Sequence, residues 1–186
     1  MQDQNAVIPL AEGYEEMEVT ITADILRRAG IGVRLAGMGT ASPIPGSRGI
    51  RIAPDLQWEQ CMDHPMAMLV LPGGDLGVRN LGRSESLRTF LQKRHTENQG
   101  IAAICAAPGL LAPLGILQGR RVTSFPGVLD PSSRDYHYLE RPVVIDGHLV
   151  TSRGPGTAMD FALALVEILR GPEVRRETEA PLQRPH

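Results

Sequence analysis

The stretch "GIAAICAAPGLLAPLG", residues 100–115, decides the fold. Ile101–Ile104 is a short apolar run of the kind that forms a buried strand, and Ala106–Leu114 has a helix-forming composition whose first turn tolerates Pro108. Cys105 therefore sits at a strand-to-helix turn. There its thiol lies near backbone N–H groups that lack an intrahelical partner and at the positive end of a helix, a setting that stabilises a thiolate. Cysteine is also a small apolar residue commonly buried for packing alone, so the residues around it must decide between the two.

Working outward, apolar runs alternate with amphipathic segments in α/β order. Strands are expected over Ala6–Leu10, Gly32–Ala36 and Ala67–Leu71, a short extended piece over Ile50–Ala53, and a further strand in "RRVTSF". Helices are expected from about Glu15 to Arg28, closed by Gly30, and from Ser84 to about Glu97. The Ser-Glu-Ser start of the second supplies a cap and an acidic first turn. Asp146-Gly147 between two alternating runs in "PVVIDGHLVTS" marks a hairpin. "GTAMDFALALVEILRG" is a helix with a narrow polar stripe, suited to burial against a sheet. From Glu173 the chain is charged and contains proline, and its end is expected to fray.

The 186 residues, 42% hydrophobic, suit one domain (1–186), with a core over about 5–172 and a charged tail over about 173–186. A net charge of −2 gives no general attraction to nucleic acid or acidic membranes, and no basic run forms a local patch. Cys61 and Cys105 match no metal or C-x-x-C spacing. A reducing compartment is the default, and with neither a signal-like leader nor a membrane-length segment the expected location is cytoplasmic.

Open parallel sheets bind ligands at the carboxyl ends of their strands. "AEGYEEME" (11–18), "LPGGD" (71–75) and "ICAAP" (104–108) all fall at such ends, so Glu18, Gly73, Gly74 and Cys105 converge if their strands are neighbours. The N–H groups of Gly74 and Ala106 could hold a developing oxyanion. Glu15 and Glu18 share one side of the first helix, and a carboxyl buried beside a thiolate keeps its proton and donates it to sulfur. His64, His95 and His148 are expected to be solvated; His137 is an outside candidate. In "RGPGT" (153–157) the arginine and glycines could line a pocket, or simply start a helix.

The segments "AEGYEEMEV", "RRAGI", "LVLPGGDLGVRNL", "AAICAAPGLL" and "TSRGPGTAMDFALALVEIL", in this order, resemble the ThiJ/PfpI superfamily, in particular the branch of the parkinsonism-associated deglycase and its bacterial chaperone-like relatives. The resemblance runs from about Val7 to Leu182. It implies a flavodoxin-like three-layer α/β sandwich with a mostly parallel sheet, a homodimer, and a reactive cysteine on a nucleophile elbow. Cys105 matches the nucleophile and Glu18 its protonated partner. Glu15 matches a second acidic pocket residue, Gly73, Gly74 and Ala106 match backbone donors around the sulfur, and Arg48 with Arg28 match basic residues bordering the pocket near the dimer interface.

Two departures stand out. Phe125-Pro126 replaces a histidine-proline pair, removing a Cys/His dyad and weakening a peptidase reading. Asp75 after the glycine pair adds a carboxylate expected to raise the thiol pKa. The activity implied is a glyoxalase or protein deglycase, free of metal and organic cofactor, acting on methylglyoxal-type dicarbonyls or early glycation adducts. The alternative is an oxidative-stress sensor or chaperone whose Cys105 is oxidised to sulfenic or sulfinic acid. Both use the same thiol, acid and pocket.

Overall fold

Met68–Leu71 and Ile101–Ile104 are buried at every residue, which requires cover on both faces of the sheet that holds them. The computed structural model, which describes residues 5–62 and 64–184, shows that cover. In chain order the elements are β1 (Asn5–Leu10), α1 (Glu16–Arg28), β2 (Gly32–Gly37), β3 (Ile44–Pro45), β4 (Arg51–Ile52), β5 (Leu56–Gln57), α2 (Trp58–Cys61), β6 (Met68–Leu71), α3 (Asp75–Arg83), α4 (Glu85–Thr96), β7 (Gly100–Ile104), α5 (Pro108–Leu111), β8 (Arg121–Val122), β9 (His137–Tyr138), β10 (Val143–Asp146), β11 (Leu149–Ser152), α6 (Ala158–Arg170) and α7 (Pro172–Glu179).

The main sheet runs β10-β11-β7-β6-β1-β2-β5. Every neighbouring pair is parallel except the β10–β11 hairpin, turned at Gly147 with φ 61°. Side chains alternate between its faces. Ala6, Ile8, Leu10, Val70, Ala102 and Ile104 pack with Val19 and Leu26 of α1 and Phe161 and Leu165 of α6. Val7, Leu69, Leu71, Ile101 and Ala103 pack with Leu81, Leu87, Leu91 and Leu111 on the other side. The result is the three-layer, flavodoxin-like α/β sandwich. Because β7, β6 and β1 are adjacent, their carboxyl ends at Ile104, Leu71 and Leu10 open on one place.

Helix ends follow their local chemistry. The Glu15 carboxylate caps α1 by accepting the Glu18 N–H at 2.8 Å, and Ser84 caps α4 through the Leu87 N–H at 3.2 Å. Three expectations need correction. The segment after Cys105 is one α-helical turn, Pro108–Leu111, followed by a 3-10 turn over Ala112–Leu114, so no long helix dipole points at the thiol. Asp75, placed at the end of the "LPGGD" turn, instead begins the helix Asp75–Arg83. And 172–182 does not fray: α7 and the 3-10 turn Ala180–Leu182 fold back so that Val174 and Leu182 pack against the core and Thr178 is buried. Residues 185–186, where the chain end was expected to fray, lie outside the described residues. Among the described residues no helix is long and apolar enough to cross a membrane.

His95 and His148 are not plainly solvated. His95 Nδ1 lies 3.1 Å from His148 Nε2, joining the end of α4 to the β10–β11 turn. Burial lowers both pKa values, with Arg120 adding to the effect. A histidine whose folded pKa is lowered stabilises the fold above its unfolded value and loses that contribution as pH falls through the folded one. Wild type should therefore lose resistance to denaturant as the pH drops below about 6.5, and His148→Gln should flatten this dependence, as measured by urea midpoints across that range.

Candidate functional site

Cys105 has φ of 63°, a left-handed conformation that costs a non-glycine residue about 1–3 kcal/mol and persists only where neighbours enforce it. Here they do. Its N–H donates to Ser152 O at 2.9 Å, its carbonyl accepts the Phe125 N–H at 2.9 Å, and the Ala107 N–H closes on Ile104 O at 3.0 Å. The turn lifts a half-buried thiol off the end of β7. Cys61, by contrast, is fully buried in the opposite apolar layer.

The thiol meets two other strand ends. A Cβ on Gly73 would lie 2.5 Å from Cys105 Cβ and 2.7 Å from Glu18 Oε2, and one on Gly74, at φ 87°, would lie 2.2 Å from Gly13 O. Only glycines let these backbones approach so closely. The backbone N–H groups of Gly74 and Ala106 lie close enough to the sulfur to work against the rise in its pKa. The Gly73 N–H instead donates to Glu18 Oε2 at 2.7 Å, so Gly73 serves the acid rather than the sulfur as expected.

Glu18 reaches this point from the first turn of α1 and is 1% exposed. Burial raises its pKa to about 7, and the negative charge of Glu15 adds to that rise against the lowering hydrogen bond from Gly73. With Glu18 ionised, burial together with that adjacent carboxylate pushes the Cys105 thiol up to about 12. The two groups are therefore not charged together below about pH 12, and above about pH 7 they hold one negative charge and one proton between them. Their surroundings decide who holds which. Oε1 of Glu18 is buried with no hydrogen-bond partner, a costly state for a carboxylate oxygen and a natural one for a hydroxyl with an acceptor beside it. The sulfur already faces two N–H donors. These contacts favour thiolate on Cys105 with acid on Glu18, against an order of ionisation, about 7 for Glu18 and about 12 for the thiol, that starts from the carboxylate.

A cavity of 710 Å³ opens above the thiol. Phe125, Val128, Leu76 and Pro155 give it apolar walls, while Glu12, Glu15, Arg48, Asp75 and Arg79 bring charge to its rim. Glu15 and Arg48 thus stand where they were expected. Arg28 does not. It ends the 13-residue α1 whose first turn holds Glu18, pairs with Asp24 at 2.5 Å, and faces a separate cavity with Arg170 and Thr178. Asp75 is exposed and ion-paired to Arg79, and it is not among the groups that raise the thiol pKa. His137 is exposed on β9 and off the cavity, and of "RGPGT" only Pro155 lines it. Among the described residues no cluster of three or more His, Cys, Asp or Glu could hold a metal ion. Another cavity, 580 Å³ around Gly100 at the opposite ends of the strands, has no cysteine, serine or threonine among its described lining residues; its Arg94 is committed to the carbonyls of Met66, Ala67 and Gly100.

Leu76, Arg79 and Val128 escaped the sequence reading. Leu76 and Arg79 depended on seeing helix α3, and Val128 lies in an irregular loop without a periodic signal.

Comparison with known proteins agrees with the fold. The model of the DJ-1/PfpI family matches residues 4–168. The chain is 42% identical over 185 residues to the Parkinson disease protein 7 homolog of Danio rerio, covering 98% of each chain, and 37% identical over 172 residues to the glutathione-independent glyoxalase DJR-1.2 of Caenorhabditis elegans, covering 92% of this chain and 91% of that one. The crystal structure of Drosophila melanogaster DJ-1beta superposes with a TM-score of 0.93 at 40% identity, covering 99% of this chain and all of the other. With its elbow cysteine, its buried glutamate and these matches over nearly its full length, the chain belongs to the DJ-1/PfpI family.

Proposed function

We propose that the chain is a cysteine-dependent glyoxalase or deglycase, independent of metal and organic cofactors, that converts methylglyoxal-type dicarbonyls, or their early adducts on proteins, into hydroxy acids. The observation that carries the reading is the Glu18 carboxyl, buried beneath the Cys105 sulfur with one oxygen unpartnered among the described residues, while Cys105 itself lines a cavity open to a small carbonyl. Similarity to a protein named as a glutathione-independent glyoxalase supports it.

The thiolate attacks the aldehyde carbon, forming a C–S bond as the carbonyl π pair moves to oxygen. That oxyanion lies near the Gly74 and Ala106 N–H groups and takes the Glu18 proton, giving a hemithioacetal. Glu18, now a carboxylate, removes the proton from the former aldehyde carbon and returns it to the neighbouring carbon. As the carbon-bound proton moves by way of an enediol, the hydroxyl proton passes from the first oxygen to the second, and the product is an S-lactoyl thioester. Water cleaves it, releasing lactate and restoring the thiol pair, so the sum is methylglyoxal plus water to lactic acid with no change in the enzyme. Phe125 and Val128 flank the methyl end.

The assay is lactate formation from methylglyoxal by purified protein with trace metals chelated. Cys105→Ser should abolish turnover. Glu18→Gln, which keeps a donor at the sulfur but carries no transferable proton, should lower kcat by about 10²–10⁴-fold while Cys105 is still alkylated by iodoacetamide at a rate within a few-fold of wild type. Unchanged turnover in Glu18→Gln would refute the proton shuttle. Absence of turnover in wild type, with peroxide oxidising Cys105 in preference to Cys61, would favour the redox-sensor reading.

We also propose a homodimer. Met17 on α1 and Ile50 in the adjoining loop are large apolar side chains, 52% and 58% exposed, beside Arg48 at the cavity rim, a combination suited to cover by a second copy. Light scattering should show a dimer for wild type and a monomer for the Met17→Asp, Ile50→Asp double variant.

A further inference from the structure

Three acidic residues begin α1, and Glu15 and Glu18 face the cavity or the thiol. Glu16 does neither. It is 3% exposed and points to the other side of the helix start, into the backbone of residues 46–50. One carboxylate oxygen accepts the Arg48 N–H at 2.5 Å and the Ile50 N–H at 3.4 Å, and the other accepts the Ser47 hydroxyl at 2.9 Å. A Cβ on Gly46 would lie 2.5 Å from the same carboxyl group. The segment is thus wrapped around one side chain. Although burial works against it, these hydrogen bonds hold the Glu16 carboxyl below its ordinary pKa, so it remains an acceptor for all three donors at neutral pH.

The wrapped segment is one wall of the functional cavity, contributing Pro45, Gly46, Ser47 and Arg48. Its outer connections are few. Tyr14 OH donates to Ile50 O at 3.0 Å, Ser47 N–H to Tyr14 O at 2.8 Å, and Gly13 N–H to Pro45 O at 2.9 Å, while among the described residues β3 and β4 pair only with each other. Ile44 and Ile52 at the two ends of the segment pack into the core, and the 46–50 turn between them has no pairing with a strand of the main sheet among the described residues. The Arg48 side chain is exposed and hydrogen-bonds only to the carbonyl of Ser47 among the described residues, so its guanidinium is placed by the backbone from which it springs.

We infer that Glu16 is a positioning residue: by gathering the backbone of Arg48 and Ile50 and the Ser47 hydroxyl onto one buried carboxylate, it holds the wall of the Cys105 cavity in the shape that receives substrate. This rests on the carbonyl-enzyme reading of the same cavity. Glu16 touches neither the thiol nor the reacting carbon. Its loss therefore alters substrate binding and leaves the chemistry of Cys105 in place. A glutamine, which can present its carbonyl to the two N–H groups and its amide to the Ser47 oxygen, keeps the wrap without the charge.

The test compares Glu16→Ala, Glu16→Gln and wild type by hydrogen exchange of the 46–50 amides, by steady-state turnover of methylglyoxal, and by the alkylation rate of Cys105. In Glu16→Ala, exchange at Arg48 and Ile50 should rise by about tenfold or more and KM by about threefold or more, with kcat and alkylation within about twofold of wild type; Glu16→Gln should match wild type in all three. Gly46→Ala, whose new methyl displaces the same carboxyl group, supplies a second route to the loosened wall if Glu16→Ala does not fold. The inference is overturned if exchange over 46–50 is unchanged in these variants, if Glu16→Gln behaves as Glu16→Ala, or if alkylation of Cys105 falls together with kcat. Should wild type show no lactate formation, the carbonyl-enzyme reading fails, and exchange with alkylation still decides whether Glu16 holds the wall.

Discussion

A carboxyl group and a thiol buried against one another can hold one negative charge between them near neutral pH but not two, and the rest of this structure determines where that charge goes. Gly73 donates to one oxygen of Glu18 and leaves the other bare, while the N–H groups of Gly74 and Ala106 lie close to the Cys105 sulfur. On the mechanism proposed, the sulfur carries the charge and Glu18 the proton. That division gives a nucleophile and a proton donor in one pair without a neighbouring histidine, so Phe125 can stand where a Cys/His dyad would otherwise form and serve as an apolar wall.

The sheet supplies the precision this pair requires. Adjacent parallel strands β7, β6 and β1 end together, and each delivers one part: the strained elbow at Cys105, the glycine pair whose missing Cβ leaves room for the thiol and the carboxyl, and the helix start that carries Glu18 beneath both. Burial then does electrostatic work that an exposed site could not, because the same desolvation that raises the Glu18 pKa strengthens every hydrogen bond around the sulfur. Strain at the elbow is tolerated because Ser152 and Phe125 on flanking segments bind the backbone of Cys105 on both sides.

Much of this was legible in the residues. Short apolar runs ending in glycine or cysteine identified β6 and β7, and their placement at strand ends brought Glu18, Gly74 and Cys105 together before any coordinates. What could not be read depended on partners far along the chain. The N–H of Gly73 looked equivalent to that of Gly74, and only the path of α1 shows that it faces Glu18. Arg28 shares a helix with Glu18 but lies at its other end, as the 13-residue length of α1 dictates. The segment from Glu173 read as a charged tail with a frayed end, yet Val174 and Leu182 pack against the core and Thr178 is buried. The two histidines 53 positions apart carried no local signal of their contact.

The most direct measurement is the ultraviolet absorbance of the Cys105 thiolate as a function of pH, taken as the difference between wild type and Cys105→Ser. If Glu18 holds the shared proton, the thiolate is present at neutral pH and persists as the pH falls until the pair takes up a second proton. A thiolate signal that appears only in strongly alkaline solution would place the proton on sulfur and contradict the account.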